Sequence, residues 1–145
     1  MEWFASKGAT ICIPFGHSPH CDFIADFGDR LERVQVKTCT CWLRERWSVT
    51  LCTRGGNQSW NGLVKRLDSS RFDYLFVVVG DGRRWCIPAT ALKVGSHLSL
   101  GGPKYSEFEV EFGRPLPPRD DREPASTIVS LDPRGDVRVA KGDGL

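Results

Sequence analysis

A chain of 145 residues has room for one domain around a single modest core, which excludes a second full domain. Its composition, 40% apolar and 26% charged, is that of a globular protein, and no apolar run nears the roughly 20 residues that span a bilayer. The net charge of +2 is too small to mark a nucleic-acid binder by itself.

The opening Met1-Glu2-Trp3-Phe4 lacks the basic region and apolar stretch of a secretory signal, so the expectation is an intracellular, cytoplasmic protein whose six cysteines stay reduced. Met1 to Lys7 reads as the last turns of a helix stopped at Gly8. Thr10 to Pro14 reads as a first strand, and Phe15 to Cys21, with its Gly, Ser and Pro, as a loop. A hairpin follows over Asp22 to Lys37, its second strand running on to Trp42. Trp47, Val49 and Leu51 alternate with polar residues, giving a half-buried strand over Trp47 to Thr53 that Gly55-Gly56-Asn57 closes. Leu63, Val64 and Leu67 have the spacing of a short helix over Asn61 to Leu67.

Tyr74 to Val79 is a continuous apolar, β-rich run, which predicts a central strand covered on both faces. Gly80-Asp81-Gly82 turns it into Arg84 to Ile87, and Ala89 to Val94 reads as a brief helix closed by Gly95. This order predicts a mixed sheet with helices packed against it, an α/β or α+β sandwich. Composition changes after Gly113, where Pro115, Pro117, Pro118 and Pro124 lie among Arg and Asp. The reading is therefore a domain over 1–113 and a mobile tail over 114–145. Ile128-Val129 and Val137 to Val139, around Asp132-Pro133-Arg134-Gly135, leave room in that tail for a small hairpin.

The hairpin is where chemistry gathers. Gly28 and Asp29 suit the two central positions of a mirror-image turn, which sets Phe27 opposite Arg30 and, counting outward, Asp22 opposite Gln35. Directly opposed residues share a face with Cβ atoms about 5 Å apart, and Lys37, two residues beyond Gln35, shares it too. An acid, an amide and an ammonium at one point make a candidate site for a hard divalent cation beside a lysine that acts as base or stabilises charge.

Asp22 and Gln35-Val36-Lys37 resemble the PD-(D/E)XK nuclease superfamily: an acid on one strand, then an acid, any residue and a lysine on the next. The wider set is similar to the intron-type homing endonucleases and their bacterial relatives, in which Gln-x-Lys is common. It comprises Ile13-Pro14-Phe15-Gly16, Cys21 to Ile24, Arg33 to Thr38, Phe72 to Val79 with Trp85-Cys86-Ile87-Pro88, Leu98 to Leu100, and Lys104-Tyr105. It covers about residues 8 to 112. Three departures stand out: His20-Cys21 where Pro commonly precedes the acid, the neutral Gln35 where much of the superfamily has a carboxylate, and a first helix shorter than that of relatives whose Glu can join the site.

That resemblance implies a restriction-endonuclease-like core with a mixed central sheet flanked by helices, in a prokaryotic or mobile-element setting. It implies Mg²⁺, with Mn²⁺ as a substitute, held by Asp22, Gln35 and the Val36 carbonyl, while Lys37 positions or deprotonates the attacking water. The partner implied is double-stranded DNA, not a membrane. Cutting both strands calls for a homodimer or higher oligomer. With Gln35 neutral, the site carries one negative charge fewer and should hold Mg²⁺ more weakly. Arg44 and Arg46, Lys65 and Arg66, and Arg83 and Arg84 are ordinary solvated pairs that, around such a site, become candidates for DNA contact.

Other readings attach to the same residues. A Holliday-junction-resolving nuclease on this core would favour branched DNA, and a non-catalytic DNA-binding or assembly module would keep the fold without turnover. The plainest alternative for the hairpin is a surface strand pair with an Asp22–Lys37 salt bridge. Cys39 and Cys41, with Cys21, Cys52, Cys86, His17 and His20, offer zinc ligands without the usual paired knuckles, so buried thiols are expected instead. A cysteine nucleophile served by His17 or His20 is weaker still. Trp42 and Trp47 are placed to pack on each other, and Trp85 to pack in the core or stack on a base.

Overall fold

A computed structural model describes residues 1–15, 21–54, 64–93, 95–117, 130–131 and 137–138. The chain begins with α1 (Glu2–Ser6), which stops before Gly8 at φ +91°. Strands β1 (Thr10–Cys12), β2 (Phe23–Asp26) and β3 (Leu31–Cys39) follow as an antiparallel meander. After β4 (Trp42–Leu43), β5 (Arg46–Thr50), β6 (Thr53–Arg54) and β7 (Val64–Lys65), the run Tyr74–Val79 forms β8. It lies parallel to β3, Val34 beside Tyr74 and Lys37 beside Val77. Next come β9 (Arg84–Pro88), β10 (His97–Leu100) and β11 (Glu109–Val110). The principal sheet is mixed, in the order β1-β2-β3-β8-β9-β11.

Alternation along β3 and β8 gives this sheet two different faces. On one, Val34 and Phe76 meet Phe23, Ala25 and Phe4 of α1, with the Phe4 ring edge-on to Phe23 and Phe76 at 5.3 and 5.4 Å. On the other, Leu75, Val77, Val79, Trp85 and Ile87 pack against Trp47, Val49, Leu51, Leu98 and Leu100. These last residues come from a second sheet of order β10-β5-β4 and its flank. Burying β8 on both faces accounts for its unbroken apolar sequence.

The expected flanking helices are therefore replaced by strands. Among the described residues the only α-helix is α1, with three short 3₁₀ turns at Ser69–Arg71, Ala89–Ala91 and Ser106–Phe108. The helix expected over Asn61 to Leu67 is instead β7, paired with β6, in its described part. The period-two pattern of Trp47-Val49-Leu51 and Leu98-Leu100 supplies a flat apolar surface, so two strands cover the face where a helix was anticipated. The strand bearing Gln35 also ends earlier than expected, at Cys39. Cys41 is exposed between sheets, and Trp42 starts β4 paired with Trp47, their rings 4.8 Å apart.

Beyond Gly113 the backbone stays attached to the β8–β9 turn: Gly113 N–H donates to Gly82 O at 2.8 Å and Leu116 N–H to Gly80 O at 3.2 Å. Farther on, β12 (Ser130–Leu131) pairs antiparallel with β13 (Val137–Arg138), the small hairpin that the tail allowed. Ile128, Val129 and residues 132–136 lie outside the described residues. Among those described, no helix is long and apolar enough to cross a membrane.

Candidate nuclease site

The β2–β3 register is the one counted from the turn. Phe23 faces Val34 and Asp26 faces Leu31, Phe27 N–H donates to Arg30 O at 3.0 Å, and Gly28 sits at φ +87°, which a side chain would resist. Asp22 N–H donates to Val34 O at 2.8 Å, so Asp22, one residue beyond β2, stays tied to β3 just before Gln35. A slip by one residue would send both side chains to opposite faces.

At the end of that ladder, Asp22 Oδ2 accepts from Gln35 Nε2 at 2.5 Å and from Val36 N–H at 2.6 Å. The same Nε2 stands 3.4 Å from Val36 O. One electropositive group thus lies at the point where a carboxylate and a backbone carbonyl both aim. Turning the amide over brings Oε1 to that point, which makes three oxygens of three chemical kinds, a donor set suited to a hard cation. Asp22 is exposed and Gln35 half-buried, so the point is open to solvent on one side. The other side rests on Leu75 and Val77, both fully buried.

Lys37 occupies the same face, half-buried, two residues from Gln35 and level with Val77. Among the described residues it forms no salt bridge, and no Asp22–Lys37 pair is made. The plain salt-bridge reading of the hairpin therefore fails.

The remaining basic residues differ in what holds them. Arg44 is exposed at the tip of the β4–β5 hairpin with φ +50°, while the Arg46 guanidinium lies against Gly102, where any Cβ would collide with it. Arg66 is exposed, and Lys65 belongs to β7. Arg83 is committed to Glu109, with Nε and Nη2 donating at 2.7 and 2.8 Å, and it lies 4.9 Å from the ring of Trp85. Its neighbour Arg84 points to the opposite face of β9 and packs on Gly113. Trp85 itself is fully buried, which leaves it to the core and not to a base.

The thiols follow the same logic. Cys39 is buried with its Sγ–H donating to Ser48 O at 3.0 Å, and burial pushes this thiol up, as it does that of Cys21. Desolvation pushes Cys86 up to about 12. Among the described residues no three His, Cys, Asp or Glu side chains gather as a metal-binding group, and His17 and His20 lie outside them.

One neighbour of the site was not anticipated. Arg33, two residues before Gln35 on the same face, donates Nε and Nη2 to Asp73 at 3.1 and 3.0 Å, and its backbone N–H donates to Asp73 Oδ2 at 2.7 Å. These bonds hold the Asp73 carboxyl below its ordinary range. Arg33 lies within β3 and Asp73 just before β8, and only the parallel β3–β8 pairing brings them side by side.

A family model described as PD-(D/E)XK endonuclease matches residues 3–100. Among solved structures, the chain is similar to that of a bacterial homing endonuclease, I-Ssp6803I. The two share 18% identity and a TM-score of 0.63 over 74% of this chain and 79% of that one, a likeness of fold. No curated protein matches.

Proposed function

The chain belongs to the PD-(D/E)XK endonuclease family, and from that premise we propose that it is a divalent-metal-dependent DNA endonuclease of the homing type. The observation that carries the reading is Asp22 and Gln35 hydrogen-bonded to each other, with Lys37, which makes no salt bridge among the described residues, on the same face of β3 as Gln35. Asp22, the turned amide of Gln35 and the Val36 carbonyl would hold Mg²⁺, for which Mn²⁺ could substitute. When bound, such a cation neutralises charge developing on a phosphodiester and makes a water molecule easier to deprotonate.

The chain's own residues do the rest. Asp22 brings the only full negative charge among the three ligands, so it dominates cation affinity. Gln35 answers the state of the site, donating to Asp22 through Nε2 when no cation is present and accepting through Oε1 when one is. Lys37 Nζ faces the reacting phosphate and either orients the attacking water or takes its proton. The apolar floor of Leu75 and Val77 limits water to the open side, which strengthens each of these charge interactions. The substrate is double-stranded DNA, and two copies of the site, in a homodimer or larger assembly, would cut both strands.

The decisive experiment is nicking of supercoiled plasmid by the native protein and by Asp22→Ala, with Mg²⁺, Mn²⁺ or chelator. Cleavage that requires both metal and Asp22 is expected. Equal cleavage by the variant, or cleavage in chelator, would remove Asp22 from the mechanism.

A further inference from the structure

Resting on that reading, we infer that Arg33, held by Asp73, is a second phosphate-binding point on the strand that carries the cleavage site. It would grip the phosphodiester next to the scissile one. Arg33, Gln35 and Lys37 alternate along one face of β3, so Arg33 stands about 7 Å from Gln35, on the side away from Lys37. That spacing matches the separation of successive phosphates along one DNA strand. A phosphodiester at the Asp22–Gln35 point thus has its neighbour within reach of the guanidinium.

The state of the guanidinium fits the role. Nε and one Nη2 hydrogen are spent on Asp73, leaving three of the five N–H donors, and the side chain is 44% exposed. Asp73 does not turn the group away from solvent. It fixes the plane of the fork, since its carboxylate is itself held by the Arg33 backbone N–H. Its own backbone N–H donates to Arg33 O at 2.8 Å. Asp73 is thus a positioning residue. The prepaid orientation spares the long arginine side chain part of its ordering cost when a phosphate arrives. From this pair an open groove of about 630 Å³ leads away past Arg30, Ser69, Ser70 and Thr90; its lining is mixed, with Glu32 and Phe72 among it, and it has room for a phosphate backbone to continue.

The test is fluorescence anisotropy of a labelled duplex with the full chain over a range of salt, in Ca²⁺ and in chelator. The proteins compared are the native chain, Arg33→Ala, Arg33→Gln and Asp73→Asn, each checked for folding by thermal melt. Arg33→Gln keeps an amide toward Asp73 and serves if Arg33→Ala does not fold. Loss of one charge-assisted contact should weaken binding about tenfold in either Arg33 variant. The slope of log affinity against log salt should become shallower by about 1. Asp73→Asn, which keeps the positive charge, should retain the native slope while raising KM for plasmid nicking more than it lowers kcat.

Unchanged slopes in folded Arg33 variants would overturn the inference, as would a native chain that does not bind duplex. Shallower slopes in a protein that never nicks would support Arg33 and count against the nuclease reading alone. Normal nicking with unaltered slopes would do the reverse.

Discussion

Replacing Gln35 by Glu probes the site more sharply than removing a residue, because it restores the carboxylate common in the superfamily and adds charge where the structure shows a bond. At present Gln35 Nε2 donates to Asp22 Oδ2 at 2.5 Å. Glu at this position loses that donor and sets two carboxylates against each other without a cation. Two like charges about 4 Å apart repel by about 1 kcal/mol in water and about 4 kcal/mol at the effective dielectric of a protein surface. Asp22 is exposed, so the lower end applies, about 1–2 kcal/mol, or roughly 3–8 °C in Tm for a chain of this size.

A divalent cation reverses the sign. It should bind the variant at least tenfold more tightly, which adds about 1.4 kcal/mol over the native chain once metal exceeds both dissociation constants. The assay is thermal melting of both proteins at pH 7, with chelator or with stepped Mg²⁺. A variant as stable as the native chain in chelator, gaining no more than it from Mg²⁺, would refute the Asp22–Gln35 cation site.

Lys37→Ala removes a side chain with no ion pair among the described residues, so Tm and metal affinity should hold while nicking falls by at least about 100-fold. Unchanged turnover would take Lys37 out of the chemistry. Gly82→Ala forces a Cβ to 2.6 Å from Gly113 O at φ +92°, and should lower stability by about 1–3 kcal/mol in a denaturant melt. A neutral result would mean that the segment around Gly113 does not pack on the β8–β9 turn. Cys86, pushed up to about 12, stays protonated folded while its unfolded counterpart ionises near 9, so it adds stability below pH 9 that declines toward pH 12. In thiol labelling at pH 8, the exposed Cys12 and Cys41 should react before the half-buried Cys86, whose thiol stays protonated; modification of Cys86 as fast as theirs would contradict its raised thiol.

What could be read from the sequence was what local rules determine. The Gly28-Asp29 turn fixes a register by counting, and from it Asp22 falls opposite Gln35 without knowledge of any other strand. Tyr74–Val79 was legible as a doubly covered strand because no polar residue interrupts it. The cover itself was not legible. Trp47-Val49-Leu51 and Leu98-Leu100 showed their alternation, but nothing local says that two strands 50 residues apart join into a sheet and lie on β8. A short Leu63-Val64-Leu67 pattern then suggested a helix that long-range pairing turns into a strand.

The basic residues show the same limit in its functional form. Arg83 and Arg84 are adjacent in sequence, yet a strand sends neighbours to opposite faces, one to Glu109 and one to Gly113. Arg33 is 40 residues from Asp73, yet parallel pairing sets them in register and fixes the guanidinium against the Asp73 carboxylate. Pairs counted along the chain therefore overstate a cationic patch where β9 splits it and miss the Arg33–Asp73 ion pair that β3 and β8 assemble. The proposed cation site sits within one hairpin and is nearly local. The proposed phosphate grip around it depends on which strands become neighbours, and that is settled by the burial of β8 between its two covers.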